Sequence, residues 1–290
     1  YAGNGTLSGG EDTAGAALMT SAITWSGSAA GNMKLIGSSA DDSYTFNATA
    51  TLTVDDTIDG NAGTDTLFLN NNTSPGGADG TGNSVTAGFD ADVKGIEKIV
   101  VNDLAVDYGG DIAITITNGY LDTALTIDAT ALDVDPTAEA TGETLTVTNN
   151  DTNVKLTVLG GAARDTITGN GGADSLVGNG AADQLNGGGG NDTIEGGPGN
   201  DALNGGAGAD HISGGDGIDT ITVSTYTDFK TSGGVETVDG GAGIDTLAFA
   251  QNDTALALTA PELSEISNIE SITIASGTGT ATMTFGNSFF

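Results

Sequence analysis

The chain has 290 residues, of which 48 are glycine, 4 proline and none cysteine, and 39 acidic against 6 basic side chains give a formal net charge of -33. That balance excludes nucleic acid and anionic membrane surfaces as partners, because both require basic patches, and it points to cations instead. Without cysteine there are no disulfides or thiolate metal sites, and no run approaches eighteen apolar residues, so no membrane-spanning helix is expected.

Residues 1–36 form a lead-in without a clear pattern, where Leu18, Met19, Ile23, Trp25, Leu35 and Ile36 are scattered among Gly, Ser and Ala. The chain opens at Tyr1 with no basic, apolar leader, so no secretory signal peptide is expected within it. Trp25 reads as a packing residue rather than a ligand platform.

From Gly37 a nine-residue rhythm begins in degenerate form. The stretch GSSADDSYT (37–45) puts Asp42 sixth and Tyr44 eighth, and GNAGTDTLF (60–68) puts Asp65 and Leu67 in those places. Between them TLTVDDTID keeps Asp56 and Ile58 but has lost its glycines. Residues 37–102 thus read as a degenerate repeat module with strands, and Asp42, Asp56 and Asp65 as a small cation-binding edge. Residues 103–159 then alternate in period two, as in Ile112-Ala-Ile-Thr-Ile116 and Val154-Lys-Leu-Thr-Val158, which predicts short half-buried strands continuing a solenoid.

Residues 160–222 are seven uninterrupted nonapeptides, GGAARDTIT, GNGGADSLV, GNGAADQLN, GGGGNDTIE, GGPGNDALN, GGAGADHIS and GGDGIDTIT. Each has an aspartate sixth (Asp165, Asp174, Asp183, Asp192, Asp201, Asp210, Asp219) and an aliphatic eighth. The glycine half permits a tight bend, and the other half places one aliphatic on the inner face of a short strand. Two units make one eighteen-residue coil of a right-handed parallel β-solenoid, so units two apart stack at about 4.8 Å. Carboxylates stacked at that spacing repel by about 0.9 kcal/mol per pair even at water's dielectric, and this calls for a cation between them. An all-oxygen cage of carboxylates and turn carbonyls suits Ca²⁺ better than Mg²⁺. A flexible Gly/Asp-rich linker is the competing reading, and the strict phasing of both Asp and aliphatic argues against it.

Residues 223–275 repeat the earlier module. The segment Gly240-Gly-Ala-Gly-Ile-Asp245-Thr-Leu247 parallels Gly60 to Leu67, and Asn268-Ile-Glu-Ser-Ile-Thr-Ile274 parallels Gly95-Ile-Glu-Lys-Ile-Val-Val101. The unit at 240–248 adds Asp245 to the metal candidates. After Pro261, the run Glu262 to Ile266 is the best candidate for a short helix, and 276–290 is a tail.

These nonapeptides resemble the repeats-in-toxin (RTX) family, and the surrounding Thr/Ala/Gly-rich strands look most like RTX-type surface-layer proteins. The resemblance implies an all-β fold, a right-handed parallel β-roll with calcium-binding turns and several Ca²⁺ ions. Each ion would sit between stacked turns. One would draw on Gly178, Gly180 and Asp183 with Gly197, Gly199 and Asp201, and the next on Gly187, Gly189 and Asp192 with Gly206, Gly208 and Asp210. Gly188, Gly190, Gly196, Pro198, Gly205 and Ala207 complete the implied turn ligands. The resemblance further implies type I secretion from a Gram-negative bacterium and an extracellular, cell-surface location. Self-association into a lattice or filament follows as the expected partnership, with cell-surface polysaccharide an additional candidate partner.

Catalysis is not expected. With the single histidine His211 no H-E-x-x-H zinc motif can exist, no G-x-S-x-G elbow occurs, and His211, before Ile212, should face outward. The expected function is a calcium-dependent structural subunit of a surface layer or filament. The alternatives are a calcium-stiffened adhesin and the repeat region of a type I secreted enzyme.

Overall fold

A computed structural model describes residues 4–8, 24–28, 34–47, 57–71, 85–89, 93–103, 111–117, 124–132, 144–223, 236–249 and 264–274. The chain divides into two compact units, Tyr1–Ala163 and Arg164–Phe290, so the division falls inside the first of the seven nonapeptides. Every regular element among the described residues is a β-strand.

The first unit contains β1 (Asn4–Ser8), β2 (Thr24–Ser28), β3 (Lys34–Ile36), β4 (Ser43–Asn47), β5 (Thr57–Asp59), β6 (Thr66–Asn71), β7 (Val85–Phe89), β8 (Val93–Lys94), β9 (Lys98–Asp103), β10 (Ile112–Ile116), β11 (Ala124–Asp128), β12 (Leu145–Asn149) and β13 (Lys155–Leu159). They stack in the orders β1-β2-β4-β6-β9-β11-β13, β7-β10-β12 and β3-β5-β8. Apart from the antiparallel start at β1 and β2, the pairing is parallel. Parallel stacking of consecutive coils puts like positions in register, so Tyr44 lies opposite Leu67, Leu67 opposite Ile99, and Ile99 opposite Ile127. The period-two expectation over 103–159 is met at β10 to β13, where buried aliphatics such as Ile112, Ile114, Leu125, Ile127, Leu145, Val147, Leu156 and Val158 alternate with less buried residues, many of them threonines.

The second unit contains β14 (Thr166–Gly171), β15 (Ser175–Val177), β16 (Gln184–Gly189), β17 (Thr193–Gly199), β18 (Ala202–Ala207), β19 (His211–Gly217), β20 (Thr220–Val223), β21 (Thr237–Gly243), β22 (Thr246–Phe249), β23 (Ile266–Ser267) and β24 (Ser271–Ile274). Even-numbered strands stack in one parallel sheet and odd-numbered strands in another, as a two-unit coil requires. The core is thin and regular: Ile167, Leu185, Leu203, Ile221 and Leu247 line one sheet, and Leu176, Ile194, Ile212 and Val238 the other, none more than 1% exposed. The register step is eighteen residues through the nonapeptides, as in Leu185 opposite Leu203. This is the parallel β-roll that the nine-residue rhythm predicts.

The short helix expected at Glu262 to Ile266 is not formed where the chain is described. Ser264 and Glu265 make a turn, and Ile266 enters β23 opposite Val238, because pairing along an existing sheet satisfies backbone groups that a one-turn helix leaves open.

Candidate metal centre

In each nonapeptide the aspartate stands between a glycine-rich bend and the first residue of a strand, which turns its carboxyl group into the coil. Asp165, Asp174, Asp183, Asp192, Asp201, Asp210 and Asp219 are at most 2% exposed. Beyond the first member of each ladder, a backbone amide occupies one oxygen of every aspartate. The amide of Asp165 donates to Asp183 Oδ1 (2.7 Å), that of Asp183 to Asp201 (2.8 Å), that of Asp201 to Asp219 (2.8 Å) and that of Asp219 to Asp245 (2.8 Å). A second ladder runs from Asp174 to Asp192 (2.8 Å) and from Asp192 to Asp210 (2.9 Å). A return bond completes each rung: the residue after the later aspartate donates its amide to the earlier aspartate's carbonyl, as Gln184 does to Asp165 (2.9 Å) and Ala202 to Asp183 (2.8 Å). The repulsion expected between stacked carboxylates is therefore met on the Oδ1 side by N–H donors.

The other oxygen is the chemically open one. Oδ2 of Asp183, Asp192, Asp201, Asp219, Asp245 and Asp65 is buried without a hydrogen-bond partner. Leaving a charged oxygen dry and unpaired costs several kcal/mol, so these atoms mark where a positive ligand fits. The first glycine of each unit shows what surrounds them. A methyl group at Gly178 would strike Asp183 Oδ2 and lie 2.8 Å from Gly196 O, and one at Gly187 would strike Asp192 Oδ2 and lie 2.7 Å from Gly205 O. Carboxylate and next-coil carbonyl thus converge where only a hydrogen atom leaves room.

At the second place of the units from Gly169 onward the backbone has positive φ, as it has at Asn61; the non-glycine residues Asn61, Asn170 and Asn179 have φ of 68°, 71° and 72°. Asparagine tolerates that region better than other side chains, which accounts for its use in place of glycine at these three positions.

The remaining turn candidates fall into two groups. The carbonyls of Gly188, Gly190, Gly197 and Gly199 abut the bend two units on, at Gly206, Gly208, Gly215 and Gly217. Gly189 lies opposite Ala207 and Pro198 opposite Asp216 in the stacked turns, and Ala207 O accepts the Gly190 amide at 2.8 Å. Gly180 lies in the bend that leads to Asp183.

Burial is the main force on the ladder's protonation. Burial, opposed by the hydrogen bond from the Asp165 amide and assisted by the charges of Asp165 and Asp201, pushes the Asp183 carboxyl up to about 8. Burial likewise lifts Asp192 to about 7 and both Asp201 and Asp65 to about 6, while Asp219 is raised from the usual carboxylate range.

The first unit carries a shorter ladder. Asp42 donates its amide to Asp65 Oδ1 (2.6 Å), and Asp65 donates to Glu97 Oε2 (2.7 Å). Asp42 also accepts from Ser38, whose amide reaches Oδ2 at 2.6 Å and whose hydroxyl reaches Oδ1 at 3.0 Å. Tyr44, in the eighth place, is buried with no partner for its phenol oxygen, and burial followed by the Asp42 charge raises its pKa. Asp56 lies outside the described residues.

Three glutamates at the ladder ends escaped the nonapeptide reading. Glu97, Glu236 and Glu270 take the sixth-place role at the end of each ladder, accepting the amides of Asp65 (2.7 Å), Asp210 (3.1 Å) and Asp245 (2.8 Å). The signal was present as spacing: Glu97-Lys-Ile99, Glu236-Thr-Val238 and Glu270-Ser-Ile272 copy the Asp-x-aliphatic pattern, without the complete glycine-rich half of a nonapeptide before it.

Among the described residues no three Asp, Glu or His side chains converge as a group that could hold a metal ion. An ion at these turns would draw the rest of its shell from backbone carbonyls, a hard oxygen set that fits Ca²⁺. His211 is exposed, as its position before Ile212 predicts, with Nδ1 beside Thr237 Oγ1.

A family model described as the RTX calcium-binding nonapeptide repeat matches the chain at residues 55–72, 159–194, 186–221 and 231–248. No curated protein and no solved structure matches it.

Proposed function

This chain carries RTX calcium-binding nonapeptide repeats, an element typical of secreted, extracellular proteins, and from that premise we propose that it is a non-catalytic structural subunit of a surface layer or cell-surface filament that folds and assembles on binding Ca²⁺. The observation that supports this most is the row of buried, partnerless Oδ2 atoms facing next-coil carbonyls. Asp183 with Gly196, and Asp192 with Gly205, would hold ions in this arrangement, and the other turn residues implied by the repeat would complete the shells. Ca²⁺ supplies the positive charge that keeps those carboxylates ionised inside the coil.

In a low-calcium cytosol the acidic chain would stay unfolded and pass a type I secretion channel. Outside the cell each ion stabilises the fold by RT ln(1 + [L]/Kd), about 2.7 kcal/mol when calcium exceeds Kd a hundredfold. Assembly would then use coil surfaces. Ile218 and Ile244, 58% and 62% exposed, stand beside the paired Asp219 and Asp245 and offer apolar surface for association of copies. Electron microscopy of the purified chain with and without millimolar Ca²⁺ tests the proposal. Ordered sheets or filaments are expected with calcium only, and dispersed particles in both conditions would favour an adhesin.

A further inference from the structure

We propose that Glu97 and Glu270 are cation ligands, each closing a carboxylate ladder by completing a terminal ion site with the aspartate one coil earlier, Asp65 and Asp245 respectively. The inference rests on the calcium reading above. It concerns residues outside all four segments that match the nonapeptide model.

The two places are built alike. Glu97 Oε2 accepts the Asp65 amide at 2.7 Å, and Glu270 Oε2 accepts the Asp245 amide at 2.8 Å. The return bonds also correspond: Glu97 and Lys98 donate to Asp65 O, both at 3.2 Å, and Glu270 and Ser271 donate to Asp245 O at 3.2 Å and 2.9 Å. Asp65 and Asp245 are fully buried, and Oδ2 of each has no partner. A methyl group at Gly60 would strike Asp65 Oδ2 and Gly95 O, and one at Gly240 would strike Asn268 O and lie 2.9 Å from Asp245 Oδ2. The open carboxylate oxygen and a carbonyl from the closing coil therefore meet at both ends.

Strand register explains why glutamate is used. Asp59 lies opposite Lys94 and Thr66 opposite Lys98, so seven residue steps on one coil correspond to four on the next. The same holds for Asp239 opposite Ser267 and Thr246 opposite Ser271. The closing bend is three residues shorter in both copies and lacks the carbonyls that a full nonapeptide turn provides. A glutamate compensates twice over: its extra methylene spans the shorter bend to reach the aspartate's amide, and Oε1 remains to meet the ion. Glu97 is half-buried and Glu270 exposed, as suits residues at a ladder's end.

Glutamine substitution separates ligation from simple amide capping, because its carbonyl oxygen still accepts the hydrogen bond but carries no charge. Native mass spectrometry of the full chain with added Ca²⁺ should count one ion fewer for Glu97→Gln, one fewer for Glu270→Gln and two fewer for the double variant. Glu195→Gln, at an exposed position in β17, should bind as many ions as the wild type. Unchanged counts and midpoints in both variants would overturn the proposal and leave the calcium reading standing, whereas a wild type that binds no calcium would overturn both. Infrared spectra of the wild type with ¹³C-carboxyl-labelled glutamate answer the question even if a variant does not fold. Calcium should shift a labelled carboxylate band, and a glutamate spectrum indifferent to calcium would sink the assignment.

Discussion

The two oxygens of an aspartate in these turns have unlike fates. Oδ1 is fixed by the amide of the aspartate one coil away, while Oδ2 is buried beside a carbonyl, an arrangement that favours either a proton or a cation there. Because burial raises Asp183 to about 8, Asp192 to about 7 and Asp201 to about 6, above an unfolded value of about 3.9, protons bind the folded state more tightly than the unfolded one. The stability they contribute is fully present below about pH 4 and is lost as pH rises through 6 to 8. In calcium-depleted buffer, circular dichroism should therefore show more β-structure at pH 5 than at pH 8. With calcium, the half-saturating concentration should increase as pH falls from 8 to 6, since protons compete for the same oxygens. A calcium-depleted chain that gains structure on going alkaline would contradict the burial of these groups.

At the scale of the strand and its bend, position within a ladder decides what a substitution does. Asp192 is an inner rung, accepting from Asp174 and donating to Asp210, and its Oδ2 faces Gly205 O. Replacing it by alanine should leave the Asp174 amide without its acceptor and remove an ion ligand, a loss on the order of 1–3 kcal/mol. The calcium midpoint of the nonapeptide array should rise roughly tenfold for each 1.4 kcal/mol lost. Asp65→Ala breaks the separate ladder from Asp42 to Glu97 and should leave that midpoint in place. Calcium titrations followed by dichroism distinguish the two, and equal shifts would mean the stacking of rungs is not what holds the ions. The lock is doubled by the return bond from the following residue's amide, so each rung fixes register as well as charge.

For the whole molecule, a net charge of -33 with no cysteine leaves few ways to hold so glycine-rich a chain together. In the nonapeptide stretch each short strand buries one eighth-place aliphatic, such as Leu176, Leu203 or Ile221, a small hydrophobic return for the chain ordered. Divalent ions both offset that deficit and relieve the self-repulsion of the acids. At neutral pH the chain should give a disordered dichroism spectrum in chelator and a β-spectrum on adding Ca²⁺, with Mg²⁺ much less effective because it demands a regular octahedral shell. Equal β-content in chelator and in calcium would remove the folding switch from the account.

The nine-residue spacing by itself determined the parallel stacking, the eighteen-residue coil, the inward aliphatics and the stacking of the seven aspartates, because a strictly local repeat leaves each unit one way to stack on its neighbour. The matched segments at 60–67 and 240–247, and the later Glu-x-Ile pattern, were likewise legible as residues in order. What only the tertiary structure decided is how each carboxylate is shared. The register between coils showed one oxygen held by an amide and the other left open, showed Glu97, Glu236 and Glu270 as the last acceptors of their ladders, and showed a shortened bend before Glu97 and Glu270. Strand pairing also overruled the helix suggested at Glu262 to Ile266. Each of these depends on which amide or strand lies one coil away, 18 to 32 residues distant along the ladders, and that neighbour is set by how coils of unequal length come into register.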